Sequence, residues 1–164
     1  DVGTMNLLTL RHDLAKELSK VCKDFVLKKP LSEESGDFVE SGLTIFEQQL
    51  PPPRMDTEGL YHPFIVVKAT GGNVSEEYME LGNITLLIET WADEDQSGED
   101  DLLNIIERIK NYFLAYPILS KKFSCQKDMS YELSGEQPAP YWYATLTMTW
   151  ELPKTNIMTG ADYV

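Results

Sequence analysis

The run Tyr141 to Leu152 alternates between two side-chain characters without a break. Trp142, Ala144, Leu146, Met148, Trp150 and Leu152 fall on one side of an extended chain. Tyr141, Tyr143, Thr145, Thr147, Thr149 and Glu151 fall on the other. A period of two belongs to a β-strand, because successive Cβ atoms point to opposite faces. Strict alternation means that one face is buried and the other meets water. The chain must therefore build a sheet with one covered face and supply something apolar to cover it.

Two helical patterns answer that need. Residues 6–27 carry Leu7, Leu10, Leu14, Leu18, Val21, Cys22 and Phe25 at intervals of three and four, and Pro30 stops the helix. Lys16, Glu17, Lys20, Lys23 and Asp24 fall mostly on the other side. Residues 99–115 repeat the design with Leu102, Leu103, Ile105, Ile106, Ile109, Tyr112 and Phe113, and Pro117 ends it. Ser97 suits the N-cap, and Glu99, Asp100 and Asp101 suit the positive helix start.

The remaining strands are shorter signals. Residues 43–49, 64–69, 84–92 and 123–133 read as strands, the last bulged near Lys127. Ile84, Leu86 and Ile88 face one way, and Thr85, Leu87, Glu89 and Trp91 the other. Residues 32–37, Gly71-Gly72-Asn73 and 134–140 read as turns, while 74–83 fits either a short edge strand or a loop. Pro51-Pro52-Pro53 breaks the second element and begins a long surface loop to Pro63, since a triple proline cannot donate to a ladder. The order is helix, three strands, helix, two strands, with no βαβ repeat. An α+β fold follows: a mostly antiparallel sheet of about five strands, with both helices on one face.

A length of 164 residues suits one domain, spanning 1–164. Asp1 to Thr4 reads as a vector-derived remnant before a natural start at Met5, and residues 153–164 as an extended C-terminal tail. No apolar run approaches the length of a membrane span, and the first residues lack the basic and apolar regions of a signal peptide. Cys22 and Cys125 are expected as buried thiols in a reducing cytosol. The net charge of −13 argues against binding the outside of duplex DNA, where Lys and Arg must replace counterions. It suits solubility, a basic protein partner, or a surface that DNA passes without sticking.

Catalytic motifs are missing from the sequence. The two histidines, His12 and His62, lie in a helix and in the proline-flanked loop, with no local base or nucleophile beside them. No G-x-S-x-G, H-E-x-x-H, C-x-x-C, Walker loop or dinucleotide fingerprint occurs. Asp93-x-Asp95-x-Ser97-Gly98 matches the first half of a calcium loop, but the twelfth position is Asn104 where a bidentate Glu is needed. The acidic run is better read as a solvated connection that starts a helix, and the folded domain is expected to be indifferent to EDTA. No cofactor is expected. Trp142 and Trp150 belong to the core, whereas Tyr141 and Tyr143 on the opposite face suit a protein interface.

The block ITLLIETWADEDQSGEDDLLNIIERIKNYFL at Ile84 to Leu114 is followed by PYWYATLTMTWELP at Pro140 to Pro153. This arrangement, after an opening helix and a mid-chain strand pair, resembles the tail terminator (tail completion, head–tail joining) proteins of bacteriophages and prophages. The resemblance covers residues 5–153 and rests on element order. It implies a homo-hexameric ring that caps the growing tail tube, ends its polymerisation and joins the tail to the head's connector or completion protein. It further implies a virion component assembled in the host cytoplasm, with DNA passing through unbound and no membrane partner. The resemblance supplies no catalytic residue and no interface motif. Asp93, Glu94, Asp95, Pro51, Pro52, Pro53, Tyr141 and Tyr143 are the expected interaction surface on their own chemistry. Two other readings fit the same residues. One is an acidic immunity- or inhibitor-type protein that masks a basic partner. The other is an enzyme whose pocket gathers Glu76, Glu77, Glu80, Glu89, Asp93 and Asp95.

Overall fold

The computed structural model describes residues 6–32, 36–52, 61–77, 79–92, 97–135 and 140–153. The element order is α1 (Leu7–Val21), β1 (Leu27–Pro30), β2 (Phe38–Ser41), β3 (Thr44–Glu47), β4 (Phe64–Val74), β5 (Glu80–Trp91), α2 (Ser97–Ala115), β6 (Ile118–Leu119), β7 (Phe123–Leu133) and β8 (Tyr141–Leu152). The main sheet has six strands in the order β3-β4-β5-β8-β7-β6, and β1 and β2 form a separate antiparallel pair. The α+β architecture matches the reading of the sequence, with one strand more in the main sheet than expected. The expected tail and the first residues, at 154–164 and 1–5, lie outside the described residues.

β8 and β5 form the centre, paired along their whole length from Glu80↔Leu152 to Trp91↔Tyr141. The alternation of β8 appears as burial: Ala144, Leu146, Met148, Trp150 and Leu152 are buried, and the intervening residues are half-buried. Ile84, Leu86 and Ile88 of β5 and Ile65 and Val67 of β4 complete this apolar face. Leu10, Leu14 and Leu18 of α1 and Leu102, Ile105, Ile106, Ile109 and Phe113 of α2 cover it. Both helices therefore lie on one face. Cys22 and Cys125 are free and buried in this core.

The β1–β2 pair and the start of β5 at Glu80 were not expected, and four further differences from the sequence reading have a physical reason. First, α1 ends at Val21 and not near residue 27. Arg108 of α2 takes the Val21 carbonyl with Nη1 at 3.2 Å and Asp24 Oδ1 at 2.6 Å, so a tertiary cap closes the helix early. Residues 22–26 then turn the chain towards β1, which begins at Leu27. Second, β3 runs parallel to β4, with Thr44↔Phe64 and Glu47↔Val67, which adds one parallel pair to an otherwise antiparallel sheet. Connection 48–63 is long enough to carry the chain back to the same end.

Third, Gly71-Gly72-Asn73 is strand, not turn: these residues pair with Asn83, Gly82 and Leu81. The register shifts between Ala69 and Gly71, so Thr70 is an extra residue in a β-bulge. Gly71 has φ +152, and a Cβ on Gly72 would lie 2.4 Å from the Leu81 carbonyl oxygen, so the glycines serve a bulge and a close approach. The reversal falls instead at residues 75–79, where Ser75 N–H donates to the Met79 carbonyl at 2.8 Å. Fourth, β6 is a two-residue strand after α2 that no periodicity could reveal.

Candidate functional site

The face of the sheet away from the helices is a broad surface on which the alternation of β8 places Thr145, Thr147, Thr149 and Glu151. On it, Thr85 of β5 stands opposite Thr147 of β8, with hydroxyl oxygens 3.5 Å apart. One step along, Thr149 donates to Asn83 Oδ1 at 3.3 Å. Thr145 and the β7 residues Ser130 and Glu132 continue the hydroxyl-rich surface through the pairs Ser130↔Thr147 and Glu132↔Thr145. Two shallow hollows mark the β7–β8 boundary. One, of about 180 Å³, is lined by Glu132, Ser134, Tyr143, Ala144 and Thr145. The other, of about 220 Å³, is lined by Asp128, Met129, Ser130, Thr147 and Thr149 at the β7 irregularity.

At the end of this face where β4 begins and β5 finishes, the surface becomes aromatic. His62 packs 4.9 Å from Phe64 and 4.8 Å from Tyr141, centroid to centroid. Phe46 meets Tyr61 and Phe64 edge-on at 5.8 and 6.1 Å, and Phe38 of the β1–β2 pair reaches Trp91 at 5.9 Å. Inside this cluster, His62 Nε2 lies 3.4 Å from Glu89 Oε1, with 11% and 10% of the two side chains exposed. Tyr143 stands cross-strand from Glu89. Burial and then the Glu89 charge push the Tyr143 phenol above its ordinary range. The arrangement is a small second core with a polar centre, holding the chain at residues 61–63 against the sheet.

Tyr141 and Tyr143 are thus brought together on the open face, half-buried and joined to Glu89 and His62. Among the described residues of the expected interaction surface, Pro52 also reaches this cluster, through Tyr61. Pro51 and Pro52 are exposed, and Tyr61 donates its hydroxyl to the Pro52 carbonyl at 3.0 Å. Pro53, Asp93, Glu94 and Asp95 lie outside the described residues. Glu99 and Asp100 stand exposed in the first turn of α2. The Glu89–His62 pair was invisible to sequence reasoning. The two residues are far apart in the chain, and alternation alone assigned Glu89 to the wet face.

The carboxylate pocket of the enzyme reading does not form from its described members. Glu76 and Glu77 are exposed beside the β4–β5 reversal and Glu80 opens β5, whereas Glu89 is near the other end of the same strand. Nine strand positions separate Glu80 from Glu89, roughly 30 Å. Among the described residues, no three His, Cys, Asp or Glu side chains approach closely enough to hold a metal. His12 Nδ1 contacts Glu47 Oε2 at 3.0 Å, and Arg11 Nε lies 3.4 Å from Glu47 Oε1, so His12 helps tie α1 to the edge strand β3. Burial pushes both thiols up to about 12, which leaves neither as a ready nucleophile. No helix of the described residues is long and apolar enough to cross a membrane. No protein-family model matches the chain, and no curated protein matches it.

Proposed function

We propose that this chain is a structural ring protein of a phage-type tail, capping the tail tube and joining it to the head connector. The observation that carries the reading is the one-sided layering of the sheet. Both helices cover one face, and the other is an open, hydroxyl-rich wall. Lys68 is the single basic side chain on β4, β5 and β8, and Lys127 the single one on β7. A wall of this kind offers phosphates almost no cation to replace their counterions, which suits a passage that DNA crosses without being held. A net charge of −13 adds repulsion at long range. A slab with a covered back also suits a heterologous interface that closes by rotation. The resemblance in element order points the same way.

The test is native mass by multi-angle light scattering over a range of concentrations, alone and with isolated tail tubes, with negative-stain imaging of the same samples. The expected result is a six-fold ring with a hole wide enough for duplex DNA. A protein that stays monomeric even with tail tubes, and instead forms a one-to-one complex with a basic protein, overturns the ring. That outcome moves the function to masking of a basic surface, with the exposed Glu99 and Asp100 as the first residues to examine.

A further inference from the structure

The chain leaves α2 in an extended form whose side chains alternate. Leu119 is buried in the core, whereas Tyr116 and Ile118 are 64% and 62% exposed. The Tyr116 ring lies 5.2 Å from that of Tyr112, so this surface continues onto the last turn of α2. Cys125 N–H donates to the Pro117 carbonyl at 2.8 Å, which fixes the stretch to β7. The β6–β7 turn follows at once. Ser120 and Lys121 have φ +54 and +59, and Lys122 N–H donates to the Leu119 carbonyl at 3.1 Å. Asparagine and glycine fill such a turn with least strain. Here it holds Lys121 instead, followed by Lys122, so a basic pair stands close to two exposed apolar side chains. Lys122 rests 5.7 Å over the Phe123 ring, and neither lysine has an ion-pair partner among the described residues.

The opposite end of α2 carries the converse surface. Glu99 and Asp100 are exposed in the first turn, without ion-pair partners among the described residues. Leu103, 38% exposed, lies three and four residues on and shares their side of the helix. The helix dipole accounts for carboxylates at this position. It accounts neither for the leucine beside them nor for Tyr116 and Ile118 at the far end. Over the 19 residues of α2 the two ends are roughly 28 Å apart. The two surfaces therefore cannot meet within one chain.

We propose that they meet between copies of this chain. The tip of one copy, with Tyr116, Ile118, Lys121 and Lys122, docks on the start of α2 in the next, with Glu99, Asp100 and Leu103. The contact matches in charge and in apolar character. A foreign acidic protein would fit the tip alone, whereas a second copy fits the tip and the α2 start together. The two patches differ, so the contact is heterologous, and addition continues until rotation closes it. The inference rests on the ring reading and deepens it by naming the joint between neighbours.

The experiment uses the full chain and two charge-reversed forms, Lys121→Glu with Lys122→Glu and Glu99→Lys with Asp100→Lys. Light scattering and negative-stain imaging, with and without isolated tail tubes, give the readout. The parent is expected to assemble. Each reversed form alone sets like charges against each other and should need at least about tenfold more protein to do so. Their equimolar mixture should assemble as the parent does, because the acidic tip of one meets the basic α2 start of the other. Recovery in the mixture also shows that both forms fold. Ile118→Ser should weaken assembly of the parent without any change of charge. Assembly of either reversed form at the parent's concentration overturns the joint and leaves the ring with another interface. Unchanged assembly in Ile118→Ser does the same. Open chains in place of closed rings, blocked by each reversal and restored by mixing, keep the joint and remove the ring. A parent that stays dispersed even with tail tubes overturns both.

Discussion

Gly98 is packed flat against the indole of Trp142: a Cβ built on residue 98 would come within 2.2 Å of Trp142 Cδ1. The Gly98 carbonyl also accepts from Thr90 Oγ1 at 2.9 Å, and Trp142 Nε1 donates to the Ala92 carbonyl at 3.4 Å. The start of α2 is thereby seated on the ends of β5 and β8. In an open helix, alanine in place of glycine adds stability. Here the methyl group meets a ring held on both sides, so Gly98→Ala is expected to destabilise by about 1–3 kcal/mol. Urea unfolding followed by tryptophan emission measures this, and a gain in stability would show that the indole has room to move.

Glu89 and Glu132 are two carboxylates of one sheet face in opposite settings, the first buried beside His62 and the second exposed. Removing Glu89 takes away the buried carboxylate that faces the His62 imidazole and lies cross-strand from Tyr143. Glu89→Ala should cost about 2–3 kcal/mol. Glu132, exposed on β7, should tolerate alanine within about 0.5 kcal/mol. Denaturation midpoints of the two variants side by side decide it; equal effects would mean that the buried pair contributes nothing beyond its surface counterpart.

Tyr112 donates its hydroxyl to Glu17 Oε1 at 2.6 Å, linking α2 to α1. That hydrogen bond, with burial second, raises the phenol from 10.0 to about 12. Above pH 10 the unfolded chain sheds a proton that the folded chain keeps. The contribution is fully present below pH 10 and is lost as pH rises through about 12. Tyr143 shifts in the same direction. Unfolding free energy measured at pH 8, 10 and 11 should fall at the alkaline end, with a shallower fall in Tyr112→Phe. An unchanged slope in that variant would assign the loss elsewhere.

Both thiols should resist an aromatic disulfide reagent in the native state. Cys22 and Cys125 are 2% and 4% exposed, and burial holds them as thiols. Two equivalents are expected to react at once in denaturant, and in buffer only at the rate at which the core opens. Rapid native labelling at either position would mean that the helix layer lifts from the sheet far more often than its packing suggests.

How legible the chain is depends on whether a residue's role is local. The alternation of Tyr141 to Leu152 and the two apolar helix stripes state their burial in their own spacing, so the layer order was readable. The end of α1 was not, because the group that closes it, Arg108, is on another helix. The β1–β2 pair was missed because Lys28, Lys29 and Pro30 resemble a helix end as much as a strand. Gly71 and Gly72 look like a turn by composition, and only the register with Gly82 and Asn83 shows a bulge. The polar centre of the open face was least legible of all. His62 acquires Glu89 through strand pairing, and no spacing rule connects them. Tyr141 and Tyr143 could be placed on the right face, but not beside those partners.

The bulge in β4 also says something about length. Ala69 keeps Ile84 as its partner and Gly71 keeps Asn83, so Thr70 is surplus to the ladder. Loss of any other single residue from the strand would send everything beyond it to the opposite face. Loss of Thr70 would leave every remaining side chain on the face that it already occupies. The strand thus has one position where evolution can shorten it by a residue without scrambling its two surfaces, and that position lies between the buried half and the exposed half.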